Sequence, residues 1–247
     1  MKKKSSETER VVIQARMGST RLPGKVLKKI NGKPLLYFLI KQLSYCKSTS
    51  NPIISTTVLK QDDGVERFAK QNKLDCFRGS ATDVLDRYYQ CAKKFNLKTI
   101  VRISGDSPLM DCKIIENCLK KFHAESIDYA CNIITKKSNK WIEDSNGFPK
   151  GYAVEVFKFK VLEKAWKNST LASDREHVTE YIWRNPNNFK IGIISNDKDF
   201  SKFRLVVDYE KDFELIKQII LGFDGNHMKM KGVVEYVKRN KINAKYR

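Results

Sequence analysis

Apolar positions in the first half of this chain alternate between two rhythms, short β-branched runs and longer stretches with helical spacing. Val11–Ala15 is a short apolar run and predicts a buried strand. Pro34–Cys46 carries its apolar face at Leu35, Phe38, Leu39 and Leu43, which predicts a helix. The alternation continues through a strand at Ile53–Val58, a helix at Asp62–Asn72 capped by Asp62, and a short strand at Leu74–Phe77. A helix over Thr82–Phe95, capped by Thr82 or Ser80, a strand at Thr99–Ile103 and a helix from about Asp111 to Phe122 complete it. This βα repetition predicts an α/β fold: a mostly parallel sheet with helices on both faces.

The rhythm loosens after Ile127. The polar stretch Lys136–Lys150 holds a proline and a glycine and predicts an excursion, so residues 133–157 are expected to form an inserted arm on a single domain spanning 1–247. Beyond it the pattern predicts strands at Val154–Phe157, Phe189–Ile194 and Arg204–Val207. Helices are expected at Val161–Lys167, Asp174–Arg184, Lys211–Gly222 and Val233–Arg239. The 247 residues are ample for a core. No apolar run approaches the roughly 20 residues of a spanning helix, and the charged N-terminus has no apolar segment of a signal peptide, so no membrane insertion and a cytoplasmic location are expected. The six cysteines form no CxxC pair, which predicts buried or half-buried thiols in a reducing compartment.

Net charge changes the picture only in part. At +20 the chain could be a nucleic-acid binder. Its lysines, however, are spread along the whole sequence, and no aromatic RNA-binding motif, zinc finger or recognition helix is present. The reading is therefore no nucleic acid but a small anionic substrate, whose encounter rate a basic surface raises.

In open parallel sheets ligands lie beyond the carboxyl ends of the strands. Three segments follow predicted strands there: the loop from Arg16 to Lys25, Arg78-Gly79-Ser80, and Ser104-Gly105-Asp106. The first combines Gly18 and Gly24 with Arg16, Arg21 and Lys25, the composition of a phosphate cradle. It is not the P-loop, because five residues separate the glycines and Val26 stands where that motif has a magnesium-binding hydroxyl. Asp106 and Asp208 each follow an apolar run, and two carboxylates across a crevice from a basic loop suit a hard cation shared with phosphate. As local features, both residues also fit helix caps.

The segments QARMGSTRLPGKVL, FRGSATDVLDRY, VRISGDSPLMD, EHVTEYI and RLVVDYEKDF, in this order, resemble the cytidylyltransferases related to the spore-coat polysaccharide proteins. They are more distantly similar to the synthetases of CMP-activated acidic sugars, 3-deoxy-manno-octulosonate and the sialic acids among them. The resemblance implies a Rossmann-like, three-layer nucleotidyltransferase fold and the use of CTP. It places Ala15, Arg16 and Ser19 in the nucleotide loop, with Gln14 and Gly18 beside them, and Lys25 on the phosphates. Arg78 and Ser80 fall in the segment that closes over the nucleotide, and Ser104 stands where the sugar-acid synthetases often have glutamine near the base. Asp106 and Asp208 match the two ligands of Mg²⁺, and Arg16, Lys25 and Asp106 are expected to carry catalysis. The acceptor, a small anion such as an acidic sugar, a phosphonate or a phosphorylated metabolite, is expected near Glu155, His177 and Arg204.

The resemblance further implies a homodimer, with Trp141 and Phe148 of the arm as candidate contacts. The competing readings are another nucleotide on the same fold, a nucleotide-sugar glycosyltransferase, and a basic nucleic-acid-binding protein.

Overall fold

The computed structural model describes residues 8–47, 51–137 and 140–244; the side chains of 136, 137, 140 and 141 lie outside the description, and with them the expectation placed on Trp141. The chain opens with β1 (Glu9–Gln14), whose Val11, Val12 and Ile13 are buried, as a central strand covered on both faces requires. After the glycine loop come a small hairpin, β2 (Lys29–Ile30) and β3 (Lys33–Pro34), and the helix α1 (Leu35–Leu43). Two βα units follow, β4 (Ile53–Thr57) with α2 (Asp63–Gln71) and β5 (Asp75–Gly79) with α3 (Val84–Lys94). A third pairs β6 (Thr99–Ser104) with α4 (Cys112–Ala124), capped by the Asp111 carboxylate, which accepts from Lys113 N–H at 2.8 Å.

The second half adds β7 (Tyr129–Cys131), the hairpin β8 (Ile134–Lys137) and β9 (Lys140–Glu143), and β10 (Glu155–Lys158). Helices α5 (Phe159–Asn168), α6 (Ala172–His177) and α7 (Glu180–Arg184) lead to β11 (Ile191–Ile193), then to α8 (Glu210–Gly222) and α9 (Met230–Arg239). The seven-stranded sheet runs β11-β7-β10-β6-β1-β4-β5. Only β10 is antiparallel to its neighbours, so the sheet is mostly parallel, with one apolar cluster on each side. No helix among the described residues is long and apolar enough to cross a membrane.

Several local expectations are corrected. Asp62 does not cap α2: its buried carboxylate accepts from Met17 N–H at 2.6 Å and Thr57 N–H at 3.2 Å, and so anchors the base of the glycine loop. The cap of α3 is Asp83, which accepts from Asp86 N–H at 2.8 Å, while Ser80 Oγ accepts from Asp83 N–H one turn earlier. The helix expected over Asp174–Arg184 is two helices, broken at Val178. Arg204–Val207 is no strand of the sheet; an isolated parallel bridge joins Arg204 to Lys150, and Val207 N–H instead donates to the Asp106 carbonyl at 3.0 Å. Phe148 is buried in the core and offers no exposed anchor. Two of the six cysteines are not thiols: Cys46, just past α1, is disulfide-bonded to Cys112 at the start of α4. Of the free thiols, burial pushes Cys91 and Cys131 up to about 12, which leaves them inert.

Gly151 is what lets the 204–207 segment lie against the 148–152 turn. Its φ is +109°, and a β-carbon there would sit 2.2 Å from the Leu205 carbonyl oxygen. Gly151→Ala is expected to lower stability by about 2 kcal/mol or more, read as a fall in melting temperature of several degrees.

Candidate active site

A crevice of about 360 Å³ opens at the carboxyl ends of β1 and β6. One wall is the 15–25 loop. Ala15 N–H extends the sheet to Ser55 O at 3.0 Å, and the Ser19 and Gly24 N–H groups both donate to Met17 O at 2.9 Å. Gly24, in the left-handed region at φ +71°, turns the chain so that Lys25 points inward, 8% exposed. Gly18 has no such constraint, for a β-carbon there would meet only the movable end of Gln61.

Lys25 is the hub. Its Nζ donates to Asp106 Oδ2 at 2.6 Å, to Val207 O at 2.7 Å and to Asp208 Oδ1 at 3.0 Å. The hydrogen bond from Val207 N–H to the Asp106 carbonyl brings the two aspartate segments together from opposite ends of the chain. Burial pushes the Asp208 carboxyl up, but Lys25, Arg204 and Arg21 outweigh it and hold the group at about 2. Two carboxylates converging on one cation are a donor set that suits magnesium, which takes one or two carboxylates and leaves its other positions to phosphate oxygens and water. No cluster of three or more acidic, histidine or cysteine ligands exists among the described residues, so a closed all-protein cage is not built here.

The floor is polar and buried. Arg102 pairs with Glu155 and donates through Nη2 to Gln14 Oε1 at 3.1 Å. Glu155, expected at the acceptor, is 3% exposed, and its Oε1 accepts from Tyr129 Oη at 2.7 Å and Thr179 Oγ1 at 2.5 Å. Its carboxylate is spent on the scaffold beneath the crevice. Thr179 follows Val178, which sits at φ 69°, ψ −51° in a γ-turn closed by Thr179 N–H to His177 O at 2.7 Å. That conformation is rare and strained for a β-branched residue. It is held by burial and by the bond to Glu155, and it sets Glu176 and His177 at the rim.

The crevice thus gathers Gln14, Ala15, Arg16, Ser19, Lys25, Ser104, Asp106, His177 and Asp208. Arg78 is elsewhere, held by Glu66, Asp63 and the Thr57 and Leu59 carbonyls. Ser80 does not line it either, being used in the turn before α3. Arg204 lies in an adjoining basin, bound to Asp208 and Asp212.

Sequence reasoning missed Arg87 and Arg102 and gave Arg21 no role beyond its charge. Arg102 had a signal, as the one charged residue in the apolar strand before Asp106. Arg87 had none. It is 2% exposed and lines the crevice; Nη1 donates to Ser80 O at 2.5 Å, while Nε has no hydrogen-bond partner among the described residues. Burial pushes its guanidinium down from the usual value, with Arg16 and Arg102 adding to the effect. A buried cation beside a crevice is costly unless it is paired, and an anion in the crevice would offset that cost.

A glycine loop, converging cations and paired carboxylates at the ends of a mostly parallel sheet define a nucleotidyltransferase. The cytidylyltransferase family pattern matches residues 10–240, and the chain belongs to that family, a CTP-dependent nucleotidyltransferase. It is 34% identical over 233 residues to an uncharacterized protein of Methanocaldococcus jannaschii, covering 93% of this chain and 90% of the relative. The spore coat polysaccharide biosynthesis protein SpsF of Bacillus subtilis is 29% identical over 215 residues, 84% of each chain. Among solved structures, a cytidylyltransferase from Leptospira borgpetersenii serovar Hardjo-bovis superposes with TM-score 0.88 at 33% identity, covering 97% of this chain and 98% of that one. The fold is shared at TM-score 0.64 and 15% identity with a CMP:2-keto-3-deoxy-manno-octonic acid synthetase complexed with CTP, over 87% of this chain and 99% of that one.

Proposed function

We propose that the protein transfers CMP from CTP to a small anionic acceptor, an acidic sugar or a phosphorylated or phosphonate-bearing metabolite, in the assembly of a surface polysaccharide. The observation that carries the reading is Lys25 bridging Asp106 and Asp208 beside the glycine loop. The relationship to the Bacillus subtilis spore coat polysaccharide protein supports the pathway.

In this reading the acceptor oxygen, either a phosphate or phosphonate oxyanion or a sugar hydroxyl that gives its proton to water, forms a bond to the α-phosphorus while the bond from that phosphorus to the bridging oxygen breaks, the electron pair leaving with pyrophosphate. Arg16 and Arg87 hold phosphate oxygens, and Lys25 offsets charge growing on the leaving group. Glu176 and His177 face the acceptor across the rim. Asp106 and Asp208 would hold a magnesium ion, which supplies charge neutralisation of the triphosphate when bound.

The test follows pyrophosphate release with Mg²⁺, each of the four ribonucleoside triphosphates and a panel of anionic acceptors. Acceptor-dependent release with CTP is expected, and Asp106→Asn should lose it by at least about a hundredfold with an unchanged melting temperature. Release with a different triphosphate would overturn the base, and an active Asp106→Asn the role of that carboxylate. Arg87→Met should raise KM for CTP roughly tenfold to a hundredfold, the worth of a hydrogen bond to a charged group.

A further inference from the structure

The disulfide is chemistry that the crevice does not use. Cys46, just past α1, is bonded to Cys112, the first residue of α4, across 66 positions of sequence. Cys46 is half-buried between the exposed Tyr45 and Lys47, whereas Cys112 is buried. A cavity of about 530 Å³ lies beside the bond, lined by Tyr45, Asp111, Cys112, Lys113, His227 and Lys229. The other sulfurs are poorly placed for exchange: Cys91, Cys118 and Cys131 are buried, and burial pushes the half-buried Cys76 up to about 11.

The surroundings suit this bond to opening as well as to closing. Cys112 stands in the first turn of a 13-residue helix, where the helix start favours negative charge and makes its thiolate a good leaving group. The Gln42 carbonyl oxygen, 3.2 Å from Cys112 Sγ, is an acceptor for the S–H group that reduction creates. The helices on either side are also held without the sulfurs. Gln42 Nε2 donates to Asn226 O at 3.1 Å, Met228 N–H to Gln42 Oε1 at 2.9 Å and Met230 N–H to Asp111 Oδ2 at 2.8 Å. The 226–230 segment therefore still ties α1 to α4 when the sulfurs part.

The bond also connects to the crevice. Residues 107–112 form one buried run from Asp106 to Cys112, and α1 continues the chain from the glycine loop, with Leu35 N–H donating to Lys28 O at 2.8 Å. Val26, Leu36 and Leu39 on one side and Met110 and Ile114 on the other belong to a single apolar cluster. The Lys25–Asp106 ion pair joins these two stretches at the crevice, and the disulfide joins them again at their far ends.

We propose that Cys46–Cys112 is a thiol–disulfide exchange site for a dithiol reductant, and that opening it loosens Asp106 against Lys25. One thiolate of the dithiol attacks Cys46 Sγ, the S–S bond breaks, and its electron pair leaves on Cys112. The second thiol then displaces Cys46 from the mixed disulfide. The dithiol ends as a disulfide, and its two protons end on Cys46 and Cys112. The exchange goes beyond the nucleotidyl-transfer reading and stands without it; only the effect on CTP binding rests on that reading.

Oxidised protein is treated with excess dithiothreitol without denaturant, then unfolded and alkylated for mass spectrometry. Alkylation at Cys46 and Cys112 is expected only after the dithiol. The melting temperature should fall by about 10 °C, the scale for opening a loop of this length, and return on reoxidation. Well below both melting transitions, hydrogen exchange of the 104–111 amides should quicken by about fivefold or more. Affinity for CTP with Mg²⁺ should fall about fivefold, the lower end for coupled sites. The Cys46→Ser/Cys112→Ser variant should match the reduced protein and ignore the dithiol. A bond that stays closed under excess dithiol would overturn the exchange site, and hydrogen exchange within twofold in the two states would overturn the link to the crevice. An oxidised protein that binds no CTP would count against the nucleotidyl-transfer reading instead, while alkylation and hydrogen exchange still decide the proposal.

Discussion

Lys25→Met should lower turnover with CTP by a factor of about 10² to 10³, the usual cost of removing one preorganised donor from a site of developing charge. The same variant should bind magnesium more tightly in the absence of nucleotide. In the structure the ammonium of Lys25 occupies the space between Asp106 and Asp208, 2.6 and 3.0 Å from their oxygens. A divalent ion must displace it, whereas a bound triphosphate would draw it onto phosphate and release the carboxylates together. Removing the ammonium leaves two carboxylates close together, offset by Arg204 and Arg21 on the Asp208 side alone. The expected thermal profile is therefore a less stable metal-free protein with a larger stabilisation by Mg²⁺ than wild type shows. A variant that loses turnover but gains no response to magnesium would show that Lys25 does not stand in for the ion.

Glu155→Gln carries the other large effect, on stability. The glutamine matches the shape but leaves the Arg102 guanidinium, 16% exposed, without its counter-charge. Breaking a buried pair in this way costs about 3–5 kcal/mol, a fall on the order of 10 °C in melting temperature for a chain of this length. Adding Arg102→Met should recover much of the loss, because an apolar replacement of the whole pair is often close to neutral. The single variant should also loosen Thr179 and the Val178 turn, which hang from the Glu155 carboxylate, and so raise KM for the acceptor more than for CTP. No recovery in the double variant would mean that the packing around Tyr129 and Thr179, rather than the charge, carries the effect.

What could be read in the sequence was local. The strand Val11–Ile13 and helices α3 and α4 declare themselves through β-branched content and helical spacing, and the glycine loop through composition and position. What could not be read depends on distant partners. Asp62 sits at the right spacing for a cap, yet its carboxylate turns beneath the glycine loop because Met17 N–H needs an acceptor there. Arg204–Val207 has the apolar content of a strand, but its N–H groups donate to the carbonyls of Ala244, Lys150 and Asp106. Glu155 and Arg87 are charged residues in ordinary-looking amphipathic segments, and only the assembled fold buries them. Asp106 and Asp208 were legible as a pair through their motifs, but nothing in the linear order indicated that Lys25 would lie between them.

Lys25 and Asp208 are 183 residues apart in the chain, and the hydrogen bond from Val207 to Asp106 spans a further long loop. Contacts of that separation close late, since the entropy of ordering the intervening chain must be met before they form. The parallel strands and helices of the first half can assemble from nearer neighbours. The binding centre is therefore expected to be among the last parts of the molecule to form during refolding. A fluorescent nucleotide added at the start of refolding should gain signal only with the slowest phase, well after most helical structure has returned.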